Sequence, residues 1–209
     1  MSNLNKSWFN VDIESNVFDR LQLFAMGMKE GESFRQWNIS LGSIIKRASQ
    51  AARTEAWRGV KEKYNIKQEH FYNYTKIKTY ESGIINCGNS ANADVTFIGK
   101  KIPLYYFGTH KGKEKSKKPI KSQIIKGGNT FTYKRAFYMF KNYRYGIYER
   151  TTPKRLPIRE ITALAGAQMI GDDEISERVA EKIIKTIDER AEHEITRLLN
   201  KWGTNWRVK

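Results

Sequence analysis

Only one cysteine and three histidines occur among the 209 residues. A lone thiol, Cys87, excludes an internal disulfide framework and a cysteine-based zinc site, and it fits a reducing compartment best. His70, His110 and His193 lie far apart, in different predicted elements, so they offer no metal or catalytic cluster. The first ten residues lack the apolar core of a signal peptide, and no run approaches the ~18 apolar residues of a membrane span. The expectation is a soluble chain, not exported by those signals. Acids are scarce as well: 22 Asp and Glu face 38 Lys and Arg, for a formal net charge of +16. A chain this basic meets a polyanion or an acidic protein surface, or uses the charge for solubility alone.

What is present suffices for a core. Hydrophobic residues make up 39% and aromatics 12% of the chain, which argues against disorder throughout and suits one domain of ordinary size or slightly above. Residues 7–14 alternate through Trp8, Phe9, Val11 and Ile13, as a short strand does. Val17, Phe18, Leu21 and Phe24 then suit a short amphipathic helix ended by Gly27 and Gly31. Residues 1–32 thus read as a strand and short helix belonging to the same domain as 33–209.

A long helix is expected over about 34–64, with Ser33 as N-cap. Trp37, Leu41, Ile44, Ile45, Ala48, Ala52, Ala56 and Val60 keep helical spacing, and the alanines in the middle allow close approach of a neighbour. Arg35, Lys46, Arg47, Arg53, Arg58, Lys61 and Lys63 lie mostly off that stripe. From about 72 to 109 the pattern is strand-like. Val95, Phe97 and Ile98, a turn at Gly99-Lys100-Lys101, and Ile102 to Phe107 read as a hairpin, with Pro103 at an edge or strand entry. Residues 131–140 and 143–149 read as a second hairpin, rich in aromatics and turning near Lys141-Asn142. Residues 151–171, with Pro153 and Pro157, look irregular. A last helix over about 172–202 carries Ile175, Val179, Ile183, Ile187, Ala191, Ile195 and Leu199 every four residues, acids at its start, and Gly203 as a stop. The expected class is α+β: a mostly antiparallel sheet of hairpins packed by a long helix in the N-terminal half and a long C-terminal helix.

Between these elements, residues 111–128 form a basic loop with Lys111, Lys113, Lys115, Lys117, Lys118, Lys121 and Lys126 against Glu114 alone. Lysines without arginine suit phosphate contacts that do not read sequence, although a solvated hairpin connection has the same composition. Charge is also polarised along the chain. Residues 172–194 hold nine acids and four bases, a net of −5, which leaves +21 for the rest. An acidic helix of one copy could face a basic surface of the next, or the helix could simply present a solvated face with i,i+4 pairs.

No catalytic constellation emerges. His193-Glu194 begins like a zinc-protease helix, but Arg197 stands where the second histidine belongs. Cys87 has no histidine nearby in sequence, Gly127-Gly128 is too short for a phosphate loop, and Asp172, Asp173 and Glu174 are explained by the helix start. The expectation is a non-enzyme with no cofactor.

Ordered motifs carry a resemblance. Glu149-Arg150-Thr151, then Arg155-Leu156-Pro157-Ile158, then Gln168-Met169 and the run Arg190-Ala191-Glu192-His193-Glu194-Ile195 resemble the minor tail protein Z family of long-tailed phages. Upstream, Arg47-Ala48-Ser49-Gln50-Ala51-Ala52-Arg53-Thr54 resembles that family's first helix, Ile102-Pro103-Leu104 with Phe107 its I-P-L-x-x-F strand, and Ala136-Phe137 its A-F strand. The chain departs at Ala163-Leu164-Ala165-Gly166-Ala167, where the family commonly has a G-P-S-like loop. The resemblance implies a structural virion protein that completes the head-proximal end of a tail and helps join tail to head. It implies assembly in the host cytoplasm as a ring, of six copies, around the DNA channel. Neighbours would be tail terminator, tube or connector proteins, with the tape-measure protein and the genomic DNA backbone within reach and no membrane involved. Arg150, Thr151, Arg155, Leu156, Pro157, Ile158, Gln168 and Met169 would then serve the family's motif and assembly. A stand-alone, sequence-independent nucleic-acid-binding protein is the alternative reading.

Overall fold

The structure is a computed structural model and describes residues 6–13, 32–82, 92–109, 119–141 and 143–205. It is an α+β protein with antiparallel strand pairs and two long helices. In chain order the elements are β1 (Lys6–Ile13), α1 (Glu32–Lys63), α2 (Gln68–Tyr74), β2 (Thr75–Ser82) and β3 (Asn92–Pro103). A 3₁₀ turn (Leu104–Tyr106), β4 (Ile120–Ser122), β5 (Phe131–Tyr133), β6 (Ala136–Lys141) and β7 (Arg144–Arg150) follow. The chain then forms β8 (Ile158–Glu160), β9 (Thr162–Ala165), α3 (Gly166–Ile170) and α4 (Asp173–Asn205). Strands β1, β3 and β2 lie side by side in that order with β9 also on β3, β4 pairs with β5, and β6-β7-β8 form a third sheet. No helix among the described residues is long and apolar enough to cross a membrane.

The described chain divides into two compact units. One holds residues 10–13, 32–56, 77–82, 92–96 and 176–205. Within it, Leu41, Ile44, Ile45, Ala48, Ala52 and Ala56 of α1 are buried, as are Val179, Ile183, Ile187, Ala191 and Leu198 of α4. Polar side chains fix the direction of the pair. Glu55 accepts from Arg178 at 2.8 Å, while the Ser40 hydroxyl donates to Glu194 at 3.1 Å and accepts from Arg197 at 3.0 Å. Early α1 meeting late α4, and the reverse, makes them antiparallel. The alanines expected to permit close approach are all buried. The four-residue row on α4 does not stay on one face, because each step of four overshoots a turn by about 40°. By the end of the helix Leu198 is buried and Leu199 exposed.

The other unit holds residues 6–9, 57–76 and the described part of 97–175. One of its clusters centres on buried Leu104, Ile120 and Ile147, with Tyr105, Ile124, Tyr133, Ala136, Tyr138, Ile161 and Ala163 packed around them. Strand β7 lies at the middle of its sheet. It pairs with β6 from Ala136↔Glu149 to Lys141↔Arg144, and with β8 from Tyr148↔Glu160 to Arg150↔Ile158. Alternation then places Ala136, Tyr138, Phe140, Tyr145 and Ile147 on one face, and Phe137, Met139, Arg144, Gly146 and Tyr148 on the other.

Several expectations are corrected here. Gly99-Lys100-Lys101 is not a turn, since β3 runs through it. Gly99 is buried, and a Cβ there would sit 3.2 Å from the Tyr74 carbonyl and 3.3 Å from the Gly166 and Ala167 amides. The glycine serves close backbone approach instead of reversal. Residues 72–74 finish a helix, and the aromatic run 131–140 is two strands separated by a turn at Lys134-Arg135. Residues 158–170, read as irregular, form β8, β9 and α3. Ser33 lies inside the first turn of α1, which begins at Glu32. Gly203 does not stop α4, which continues to Asn205; a single glycine costs a helix about 1 kcal/mol without breaking it. The short helix expected at residues 17–24 lies outside the described residues.

Candidate functional site

Of the seven loop lysines, Lys121 and Lys126 fall among the described residues, while Lys111, Lys113, Lys115, Lys117 and Lys118 lie outside them, as do Cys87 and His110. The described end of that loop is structured. Lys121 stands exposed on β4 opposite Thr132. The backbone of 123–126 is held by three bonds: Asn65 N–H to the Ile124 carbonyl, Lys126 N–H to the Lys63 carbonyl, and Gln123 N–H to the Gly108 carbonyl. The Lys126 ammonium donates to the Lys61 carbonyl at 2.5 Å. A cation on the last-turn carbonyls of α1 complements the negative end of the helix dipole. Lys126 is therefore occupied with the helix end, and Lys121 points to solvent.

Beside this end lies a cleft of about 310 Å³ lined by Tyr64, Lys67, His70, Tyr106, Thr109 and Lys126, among others. His70 stacks on Tyr106 with ring centroids 3.9 Å apart. Tyr106 also tilts against Tyr74 at 6.0 Å. Burial raises the Tyr74 hydroxyl above the ordinary phenol range, with the Arg144 charge acting the other way. Arg144 reaches across the sheet to Glu160 at 2.7 Å. That hydrogen bond raises the guanidinium pKa further, against the cost of partial burial. Gly146 lies under this pair: a Cβ there would sit 2.7 Å from the Tyr148 ring and 2.9 Å from the Glu160 carboxylate. Arg144 Nη1 and Glu160 Oε1 are buried without a hydrogen-bond partner among the described residues. Among those residues no three His, Cys, Asp or Glu side chains gather closely enough to hold a metal ion. His193 is exposed, with Nδ1 3.9 Å from Glu194.

The motif residues separate into two groups. Gln168 and Met169 serve the fold: the Gln168 side-chain carbonyl accepts the Ala165 N–H at 2.9 Å at the start of α3, and Met169 is buried. The residues from Arg150 to Ile158 form an exposed hairpin loop. Strand pairing at Arg150↔Ile158 closes it, and residues 151–157 are all exposed. The Thr151 N–H and hydroxyl both donate to the Pro157 carbonyl at 3.2 Å, and the Thr152 hydroxyl donates to the Leu156 carbonyl at 3.4 Å. The Leu156-Pro157 peptide is cis. Arg150 lies over the Phe137 ring at 5.3 Å, and Arg159 pairs with Glu149 at 2.5 Å. Lys154, Arg155 and Leu156 stand outward from this frame, with Leu156 66% exposed.

A second outward-facing group is aromatic. At the β6–β7 turn, Tyr143 has φ +59° and is 98% exposed. Phe140 and Tyr145, paired across the strands, meet edge to face at 5.1 Å and remain about half exposed. Tyr105, Tyr138 and Ile147 on the same side are packed inward, so the aromatics of this hairpin divide between core and surface. Sequence reasoning missed the Arg144/Glu160 bridge, because its partners are joined only through strand pairing. It also missed the capping role of Lys126, because the helix end that it meets is 65 residues upstream. No protein-family model, curated protein or solved structure matches this chain.

Proposed function

We propose that this chain is a structural, non-enzymatic virion protein that completes the head-proximal end of a phage tail and helps join tail to head, with its copies assembled as a ring around the DNA channel. The reading draws on the ordered motifs that resemble the minor tail protein Z family, and on the α+β arrangement that the resemblance implies. The exposed hairpin loop at 151–157 carries it furthest. Its residues hold a fixed backbone while Lys154, Arg155 and Leu156 are left outside the core. An ordered loop that presents a large apolar side chain beside two cations offers a surface suited to contact with another protein. The half-exposed Phe140 and Tyr145 and the exposed Tyr143 add anchors of the kind that dominate assembly interfaces. Strong positive charge suits a subunit placed around DNA.

Mass spectrometry of purified phage particles tests the reading. The chain is expected in particles at several copies each, and among free tails when head joining is blocked. Its absence from particles would overturn the proposal.

A further inference from the structure

Two exposed patches on this chain match each other in charge and apolar content. One is the 151–157 loop, where Lys154 and Arg155 directly precede Leu156 and hydrogen bonds from Thr151 and Thr152 fix the backbone. The other is the outer face of α4. Glu177, Glu181, Ile184 and Asp188 follow one another at steps of four, three and four residues, which sets them on one side of the helix. Ile184 is 40% exposed although its neighbours Ile183 and Ile187 are buried. Glu177 and Glu181 are exposed, and Lys185 is the one exposed cation between 177 and 188. An isoleucine beside acids and a leucine beside bases complement each other, and contact would cover both apolar side chains while opposing charges meet.

We propose that the 151–157 loop of one copy docks on the outer face of α4 of the next copy, with Leu156 against Ile184 and with Lys154 and Arg155 against Glu177 and Glu181. The inference rests on the reading of the chain as an assembly subunit, and it names the surfaces by which copies meet. Because the two patches differ, the contact is heterologous: every copy offers a loop to one neighbour and a helix face to the other, an arrangement that gives a ring where the rotation between copies closes and an open filament where it does not. A loop of this size gives a contact at the small end of specific interfaces, below about 1,200 Å². Association of the isolated protein is therefore expected to depend on concentration and to weaken with salt.

Sedimentation velocity of the full chain over a range of concentrations tests this with three charge variants. Lys154→Glu/Arg155→Glu makes both patches acidic, and Glu177→Lys/Glu181→Lys makes both basic. Each is expected to weaken self-association by about tenfold or more, because like charges then face each other across the contact. The chain with all four substitutions has its charges exchanged and is expected to associate again. Circular dichroism should show every variant folded, since all four positions are exposed. A natural chain that stays monomeric, reversals without effect, or a fourfold variant that stays dissociated would each overturn the proposal. The tail reading fails separately: charge exchange that restores association, in a chain absent from particles, would leave the contact standing and remove its setting.

Discussion

Replacing Gly166 by alanine should destabilise the protein, although helix propensity alone predicts the opposite. Gly166 opens α3, and alanine there would gain up to about 1 kcal/mol in helix preference and lost unfolded-state freedom. Against this, the new methyl would overlap the Thr75 hydroxyl and lie 2.9 Å from Thr75 Cβ and 3.1 Å from Cγ2. Rotating Thr75 about χ1 does not relieve the crowding, because Cβ itself lies 2.9 Å away and stays in place, and the residue is buried. The backbone must move instead, and such overpacking costs about 1–3 kcal/mol. The net expectation is a loss of about 1–2 kcal/mol, or about 2–8 °C in Tm for a chain of this size. Thermal and urea unfolding followed by circular dichroism at equal protein concentration measure it. The Thr75→Ala background isolates the cause. The Thr75 hydroxyl is buried without a hydrogen-bond partner among the described residues, so its removal forfeits little beyond a methyl group. In that background Gly166→Ala should cost less than in the natural chain, with a coupling of about 1 kcal/mol. A Gly166→Ala protein as stable as the natural one, or additive effects of the two substitutions, would refute the reasoning.

Three further outcomes are expected. Gly59→Ala should lower stability by about 1 kcal/mol in urea unfolding, since its methyl would approach Ile175 Cγ2 to 2.9 Å and outweigh the propensity gained mid-helix. Glu194→Ala should cost about 1–2 kcal/mol in the same assay, because it removes the acceptor shared by Ser40 and Arg197. Burial raises the Tyr64, Tyr74, Tyr133 and Tyr148 hydroxyls above the ordinary phenol value. The folded state then holds these protons more tightly than the unfolded state. Their contribution is intact below about pH 10 and is lost as pH rises further. Phenolate absorbance should show a late-titrating group of tyrosines, and alkaline unfolding should accompany its ionisation.

The two long helices were legible because their apolar rows exceed what any strand or loop would carry: Leu41 to Val60 and Ile175 to Ala191 both lie buried. The β6–β7 hairpin was legible as well, from its aromatics on either side of Lys141-Asn142. Gly99 was misread because a glycine between apolar runs signals a turn, whereas here Tyr74, Gly166 and Ala167 crowd its backbone from elsewhere in the chain. The strands at 158–165 were hidden because β8 and β9 are three and four residues long, too short for alternation to register. At the candidate site, sequence reasoning found the charged residues and not their roles. Lys126 and the other loop lysines look alike in sequence, yet Lys126 is bound to the end of α1. The motifs Arg150-Thr151 and Arg155-Leu156-Pro157-Ile158 are visible in the sequence, but the exposure of 151–157 follows from strand pairing and from the Thr151 and Thr152 hydrogen bonds. The apolar member of the acidic helix face, Ile184, sits one residue from the buried row, and the four-residue spacing passes over it.

The most direct test of the proposed tail role is an electron-microscopy reconstruction of phage particles purified from cells that make this chain. A ring of copies around the channel at the head-proximal end of the tail, with the 151–157 loop of each copy turned toward a neighbouring protein, is the predicted result. Density at that position accounted for entirely by other proteins, with this chain nowhere in the particle, would contradict the account.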